Sequence, residues 1–467
     1  MVSMAKYIPE NLDVDTLIKD FPPTFPKFKK DKLIHIISLL YEIPQFKKDI
    51  IDTEQGWIPI NATKVQDVGI RDFTKYTDYL IKVGIIETNN QYIVGKRSKG
   101  FRLSKKYLKK PKQVQIMEFT LIRSIKKARA EKYVPKQHKS LKEWFSPSLQ
   151  IDADKARKHL YAKHHKEAKI NNRKAANKMN AGLYSILNIE NGDFHFGVDR
   201  TSGRLHTNLS NMPKQLRRYL SHNGQQLVSV DIVNSQPFNS TALFNPSFWV
   251  FAEKAKPNLY YDYNNLINYQ SIENNKHNKV ETNICTIMLA EYTKTLDTID
   301  IIRYRELAVN GRLYEHLENV ISLKDDGKKL SKSKRDLMKE MMFIVLFSEN
   351  AFRGREMQDA KNAFEAEFPN VYKRFKELKQ KDHTQLAILL QAIESEFILN
   401  RVCKRISRER PYLPLYTIHD SVATTLGNED YVRNVIEEEA IKAFGYKPKL
   451  KNENWFIEKQ SQVKEVA

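Results

Sequence analysis

Apolar and polar positions along the chain fall into three textures. In residues 31–45, DKLIHIISLLYEIPQ, apolar side chains recur at helical spacing. Residues 63–68 and 72–83 predict two further helices, and GIIETNNQYIVGKRSKGFRLS (84–104) reads as strand, loop and strand with a basic tip. Helix, helix, basic hairpin is the order of a winged helix, a nucleic-acid-binding variant of helix-turn-helix, expected over residues 1–110. A protein-contact module of the same shape is the alternative. Residues 111–187 continue in a helical, polar and strongly basic pattern, which sets off a second region over 111–190. Beyond Asn188 the β-prone runs DFHFGVD, QQLVSVDIV and LYTIHDSVATT are separated by long helical segments, an α+β layout over 191–467.

At 467 residues the chain exceeds what one compact core organises, so two or three domains are expected. Hydrophobic residues make up 41% and mean hydropathy is −0.58, as in a globular protein. The longest apolar run, MMFIVLF at 341–347, is far shorter than the roughly 20 residues that span a bilayer. MVSMAKYIPENLDVD lacks the apolar stretch of a signal peptide, and the expected location is cytoplasmic, with no membrane partner. The two cysteines, Cys285 and Cys403, offer neither a zinc knuckle nor a disulfide framework.

Charge changes the picture most. The formal net charge is +22, and the excess is clustered. KRSKGFRLSKKYLKKPK (96–112) carries nine basic residues and no acidic one; KARKHLYAKHHKEAKINNRKAANK (155–178) has nine Lys or Arg against Glu167 alone. Such runs attract phosphate backbones by counterion release. A solvated helix face is the bland alternative, but aromatic residues sit beside the runs and no strong apolar face accompanies them. Lys96, Arg97, Lys99 and Arg102, in the hairpin, are therefore expected nucleic-acid contacts.

Two of the β-prone runs contain a carboxylate where a core residue is expected: Asp231 in QQLVSVDIV and Asp420 in YTIHDSVATT. A buried carboxylate costs several kcal/mol, as an order of magnitude, unless paired, hydrogen-bonded or bound to metal. Two divalent cations bridged by both aspartates would compensate, and would supply two-metal chemistry on a phosphoryl group. A lone aspartate at a strand end more often caps a turn. Between them, KRDLMKEMMFIVLFSENAF sets Arg335, Lys339, Phe343 and Phe347 at four-residue intervals, one drifting stripe on a helix. Cations followed by aromatics suit a nucleotide, its triphosphate on the former and its base or sugar on the latter.

These residues resemble family A DNA polymerases. RxxxKxxxFxxxF before Ser348 is similar to the family's RxxxKxxxFxxxYG helix, VSVDIVNSQPF to its first palm motif and IHDS to its HDE. TSGRLHTNLSNMPKQLRRYL resembles TGRLSSxxPNLQNIP, LQAIESEFIL a glutamine-bearing helix, and PKLKNENW the closing segment. The resemblance covers residues 201–455 and implies a right-hand polymerase of palm, fingers (about 245–400) and thumb (111–190) behind the N-terminal winged helix. It implies Asp231, Asp420 and the backbone carbonyl of Ile232 as ligands of two Mg²⁺ ions, with Mn²⁺ as the alternative. Arg335 and Lys339 would hold the triphosphate, Lys339 also protonating the leaving pyrophosphate; Phe343 and Phe347 would border sugar and base; Arg204, Gln391 and His419 would touch the primer-template. The family's glutamate gate against a 2′-hydroxyl is here Gln236, Phe347 replaces tyrosine, and Ser421 replaces the last glutamate. HDS is what single-subunit phage-type RNA polymerases carry.

The expected function is thus a template-directed nucleotidyltransferase, a compact DNA-directed DNA polymerase of a phage or mobile element that takes DNA primer-template and dNTPs and has no proofreading exonuclease. A single-subunit RNA polymerase or primase, with RNA as a partner, is the first alternative. A non-catalytic DNA-binding replication initiator or regulator is the second.

Overall fold

The strand Gln225–Ile232, Q-Q-L-V-S-V-D-I, combines β-branched residues with burial of Leu227, Val228, Val230 and Ile232, and it organises the C-terminal half. In the computed structural model it is the middle of a six-stranded antiparallel sheet. One edge pairs with Ser421–Thr425, Asp231 opposite Ser421 and Leu227 opposite Thr425. The other edge takes Leu450–Asn454, with Asp231 opposite Lys451, and at its start Leu220–His222, which passes the ladder on to Leu149–Ile151. The structure describes residues 3–46, 55–93, 98–130, 134–167, 172–199, 201–245, 248, 298–321, 333–351, 355–380 and 382–456. Lys96, Arg97 and Cys285 lie outside the described residues.

LYTIHDSVATT, expected as one strand, is a hairpin. Tyr416–Ile418 and Ser421–Thr425 pair antiparallel, with Ile418 opposite Ser421, so His419 and Asp420 form the turn. A two-residue turn of this kind needs a positive φ, and His419 supplies it at 57°. Asp420 is therefore not in mid-strand but at a hairpin tip, where its carboxylate leaves the ladder.

Helix Glu429–Phe444 packs on the sheet through Val432, Val435, Ile436 and Ala440, and Phe444 meets the rings of Phe238, Phe248 and Phe397 at 4.6, 5.0 and 5.3 Å. Helix Thr384–Ser395 runs on through a π-helical segment, Glu396–Cys403, into Lys404–Glu409. Helices Leu313–Val320 and Lys334–Phe347 pack together, and the latter also packs on Thr384–Ser395.

In the N-terminal region, helices Ala62–Asp67 and Phe73–Lys82 precede strands Ile86–Thr88 and Gly100–Leu103, and Ile58–Pro59 completes a three-stranded antiparallel sheet. The residues that follow depart from the expected helical pattern. Pro111–Ile116 is a strand, paired antiparallel with Met4–Pro9 from Met4 opposite Ile116 to Pro9 opposite Pro111. From Lys112 on its burial alternates, Lys112, Val114 and Ile116 partly or fully buried and Gln113 and Gln115 exposed, a period-two signal that a run of lysines on either side obscures. Helix Lys30–Phe46 lies against Asn172–Glu190, where Gln45 donates to Ser185 Oγ at 3.3 Å and accepts from Asn188 at 3.0 Å. Arg173 donates to the Leu103 carbonyl at 2.8 Å. The N-terminal elements and the basic helices thus share one hydrophobic core.

Helices Ile299–Val309 and Leu313–Val320 are joined at Gly311, where φ is +65° and an added Cβ would stand 2.9 Å from Val233 Cγ1 and 3.1 Å from Lys449 Cβ. Val233, two residues after Asp231, donates to the Lys449 carbonyl at 2.8 Å, so this turn braces the strand end that carries the aspartate. Gly311→Ala is expected to cost about 2–3 kcal/mol, from left-handed backbone strain plus displaced neighbours. A lower urea midpoint with unchanged slope checks it, and an unaltered midpoint refutes it.

Candidate active site

Pairing of Asp231 with Ser421 sets Asp231 beside Asp420, though the two lie far apart in sequence. Both open on a cleft of about 380 Å³, which Ile232, Ser235, Gln236, Tyr314, Arg335, Lys339, Phe343, Phe347 and His419 also line. Asp231 is held from behind: Trp455 Nε1 donates to Ser229 Oγ at 3.2 Å, and Ser229 Oγ donates to Asp231 Oδ1 at 3.4 Å. Burial raises the Asp420 pKa, and the charge of Asp231 raises it further against the Ser235 hydroxyl. Burial likewise raises that of Asp231, with Glu453 adding to it and Ser421, Lys451 and Lys214 opposing.

Neither aspartate forms an ion pair among the described residues. Two desolvated carboxylates without a cation, followed in the strand by the Ile232 carbonyl, fit a hard divalent ion that takes oxygen ligands. No group of three His, Cys, Asp or Glu side chains placed to hold a metal occurs among the described residues. Water or oxygens of a bound substrate would have to complete the coordination.

Across the cleft stands helix Lys334–Phe347. Ser333 caps it, accepting from the Asp336 amide at 3.2 Å while its hydroxyl donates to Asp336 Oδ2 at 2.7 Å. Met338, Met341, Met342, Val345 and Leu346 are buried, which turns Arg335, Lys339, Phe343 and Phe347 to the cleft. The Phe343 and Phe347 rings lie 5.5 Å apart, and Phe343 keeps 49% of its surface exposed. Arg335 donates to Glu315 Oε1 at 2.8 Å and lies over the Tyr314 ring at 5.4 Å.

Below the aspartates, Asn234 at φ 55° turns the chain from strand into helix Ser235–Ser240, whose first turn carries Gln236. Gln236 Nε2 donates to Glu394 Oε2 at 2.7 Å, which leaves Gln236 Oε1 buried and without a hydrogen-bond partner. Arg204 binds the other oxygen of the same carboxylate, Nε at 2.9 Å and Nη2 at 2.8 Å. Burial holds the Glu394 carboxyl up at about 7; Arg204 opposes this and Asp420 adds to it.

Asp231, Ile232, Gln236, Arg335, Lys339, Phe343, Phe347, His419 and Asp420 thus come together in one cleft. Arg204 and Gln391 do not line it. Arg204, expected to face a primer-template, is bound to Glu394, and Gln391 lies one turn before Glu394 on helix Thr384–Ser395. Of the hairpin cations, Lys99 is exposed, whereas Arg102 is spent internally: on Glu87 at 2.8 Å, on the Gln55 carbonyl at 2.8 Å and over the Trp57 ring at 3.9 Å. Sequence reasoning missed Glu394, Tyr314, Lys214 and Arg217. Glu394 had a signal, a carboxylate inside the apolar run LAILLQAIE, the same kind of oddity that singled out the two aspartates.

No family model matches the sequence, and no curated protein matches it. Among solved structures the chain is similar to the POL domain of Pol1 from M. smegmatis, in complex with DNA primer-template and dNTP, with a TM-score of 0.32 and 10% identity over 68% of this chain and 69% of that one.

The paired aspartates carry a stability consequence. Their folded pKa values lie above the unfolded ones, so the metal-free fold is favoured where they are protonated and loses that part as pH rises from about 4 through the raised values. Asp420→Asn is expected to stabilise the metal-free protein at pH 7 by about 1–3 kcal/mol and to flatten this slope. Thermal melts in EDTA and in Mg²⁺ check it: Mg²⁺ should raise the melting temperature of the wild type and not of the variant. A less stable Asp420→Asn protein in EDTA would contradict it.

Proposed function

We propose that the chain is a template-directed nucleotidyltransferase, a DNA-directed DNA polymerase. The observation that carries this reading is the carboxylate pair facing a stripe of two cations and two aromatic rings across one cleft. On this reading the sheet around Gln225–Ile232 is the palm, the helices of about 245–400 are the fingers, the 111–190 region is the thumb, and the N-terminal region is a winged helix that holds nucleic acid.

Asp231, Asp420 and the Ile232 carbonyl would hold two Mg²⁺ ions, which activate a 3′-hydroxyl and neutralise the departing pyrophosphate when bound. Everything else falls to side chains. Arg335 exchanges its exposed partner Glu315 for a phosphate, and Lys339, one turn on, meets the same triphosphate and supplies a proton to the pyrophosphate. Phe343 and Phe347 border the base and sugar. A second cavity of about 370 Å³ is lined by Lys163, His164, Lys178, Lys214 and Arg217 among others and shares Lys214 and Arg217 with the catalytic cleft, which supports a path for phosphodiesters between the two.

One observation favours a second reading, polymerisation of NTPs. Glu394 takes the amide nitrogen of Gln236, so the unpartnered Oε1 remains as an acceptor for a sugar hydroxyl, where a carboxylate at position 236 would carry charge.

Extension of a labelled primer-template with Mg²⁺ and either dNTPs or NTPs tests both. Incorporation of dNTPs is expected, with a loss of about a thousandfold or more in Asp231→Ala and Asp420→Ala. Arg335→Ala and Lys339→Ala should raise nucleotide KM by about 10- to 100-fold, the worth of one charge-assisted contact. Preferential NTP incorporation would select the second reading. Absence of any incorporation, beside salt-sensitive DNA binding, would sink the enzyme and leave a DNA-binding initiator or regulator.

A further inference from the structure

The far end of the stripe helix is held by two buried lysines that none of the chemistry above uses. Helix Lys334–Phe347 ends without glycine: Ser348 is extended, its amide still donating to the Ile344 carbonyl. The last carbonyls of a helix lack intrahelical donors and carry the negative end of its dipole. Here Lys379 Nζ donates to the Val345 carbonyl at 2.6 Å and to the Ser348 carbonyl at 3.2 Å. Lys361 Nζ donates to the Glu349 carbonyl and, at 3.5 Å, to that of Asn350. Lys361 and Lys379 are 0% and 2% exposed, positions that lysine almost never occupies without a specific partner. Lys361 comes from helix Arg355–Glu367 and Lys379 from the end of Pro369–Leu378, so three helices converge on one helix terminus.

We propose that Lys379, with Lys361 beside it, is a positioning residue that pins the C-terminal end of the stripe helix and thereby sets where Phe343 and Phe347 meet the nucleotide. This rests on the polymerase reading for its functional half alone; the clamp itself is a property of the free protein. Val345 and Ser348 flank Phe347, so a shift of the clamped turn moves that ring directly. Titratable and charged neighbours of Lys379 are Lys361, Tyr372, whose ring lies 5.9 Å away, Lys376, which sits over the same ring and pairs with Glu365 at 2.5 Å, and Glu349 beyond Lys361.

Burial first, and then the Lys361 charge, bring the Lys379 pKa down to about 8. Opening the clamp returns the amine to water, where it binds a proton more readily, so opening takes up a proton and grows harder as pH rises through about 8.

Hydrogen exchange over residues 341–350 of the full chain, without ligand and corrected for intrinsic rates, tests the clamp. Protection in the wild type is expected to rise as pH passes through about 8. Lys379→Met should lower protection there by about tenfold at pH 7, abolish the pH dependence and leave the sheet unaffected. Lys379→Gln, which keeps one donor, serves if the methionine variant does not fold and should fall between the two. In primer extension, Lys379→Met should raise dNTP KM by about tenfold with primer-template KM unchanged. Equal exchange in variant and wild type would overturn the clamp. A wild type that incorporates no nucleotide would instead overturn the polymerase reading while the exchange result still decides the clamp.

Discussion

The antiparallel register that sets Asp231 opposite Ser421 is the constraint on which the site depends. Cross-strand neighbours stand about 4.5–5.5 Å apart at Cα, so the hairpin tip delivers Asp420 next to Asp231 whether or not electrostatics favours it. Two carboxylates in a half-closed, partly apolar cleft repel each other and lose hydration. Hydroxyls of Ser229, Ser235 and Ser421 and the ammoniums of Lys214 and Lys451 reduce that penalty without forming an ion pair with either aspartate. A site so arranged is short of positive charge at its centre and rich in it at its rim, which is the condition for holding divalent cations and a polyanionic ligand together.

Glu394 extends the same logic one layer deeper. A third carboxylate, buried behind the cleft, is shared by Arg204 and Gln236 through its two oxygens. Removing either partner would leave the other bound to an under-compensated buried acid, so the three act as a unit. The arrangement orients the Gln236 amide, because only its nitrogen can donate to Glu394, and it withdraws Arg204 from the cleft. Arg204, read from the sequence as a nucleic-acid contact, here braces the carboxylate that also holds Gln236.

Sequence reasoning reached the parts of this design that are local. Carboxylates inside apolar runs and a cation-aromatic stripe at four-residue spacing are visible because helix and strand periodicity fix which side chains share a face. It did not reach what long-range pairing decides. Nothing in YTIHDSVATT says that the strand folds back between Ile418 and Ser421, since the turn is set by register against Gln225–Ile232 and by a positive φ at a histidine rather than a glycine. The lysines around Pro111–Ile116 masked a strand whose partner, Met4–Pro9, lies at the other end of the N-terminal region. Arg102 looked like a free cation in a basic hairpin, and only the fold brings Glu87 and Trp57 to it.

The stripe helix joins these themes, because its two ends are held so differently. At the C-terminal end, buried ammoniums sit on carbonyls in a dry environment, where each contact is strong and its loss costly. Near the other end Arg335 pairs with Glu315 on the surface, both about half exposed, and such a pair is worth only about 0–1 kcal/mol. On the proposed reading a phosphate arriving in the cleft would displace Glu315 at small cost, and the stacking of Arg335 over Tyr314 would keep the guanidinium near the cleft while it changed partners. A firm pivot and a weakly held tip are what a helix needs if it is to bring cations onto a ligand without moving the frame that carries the carboxylates.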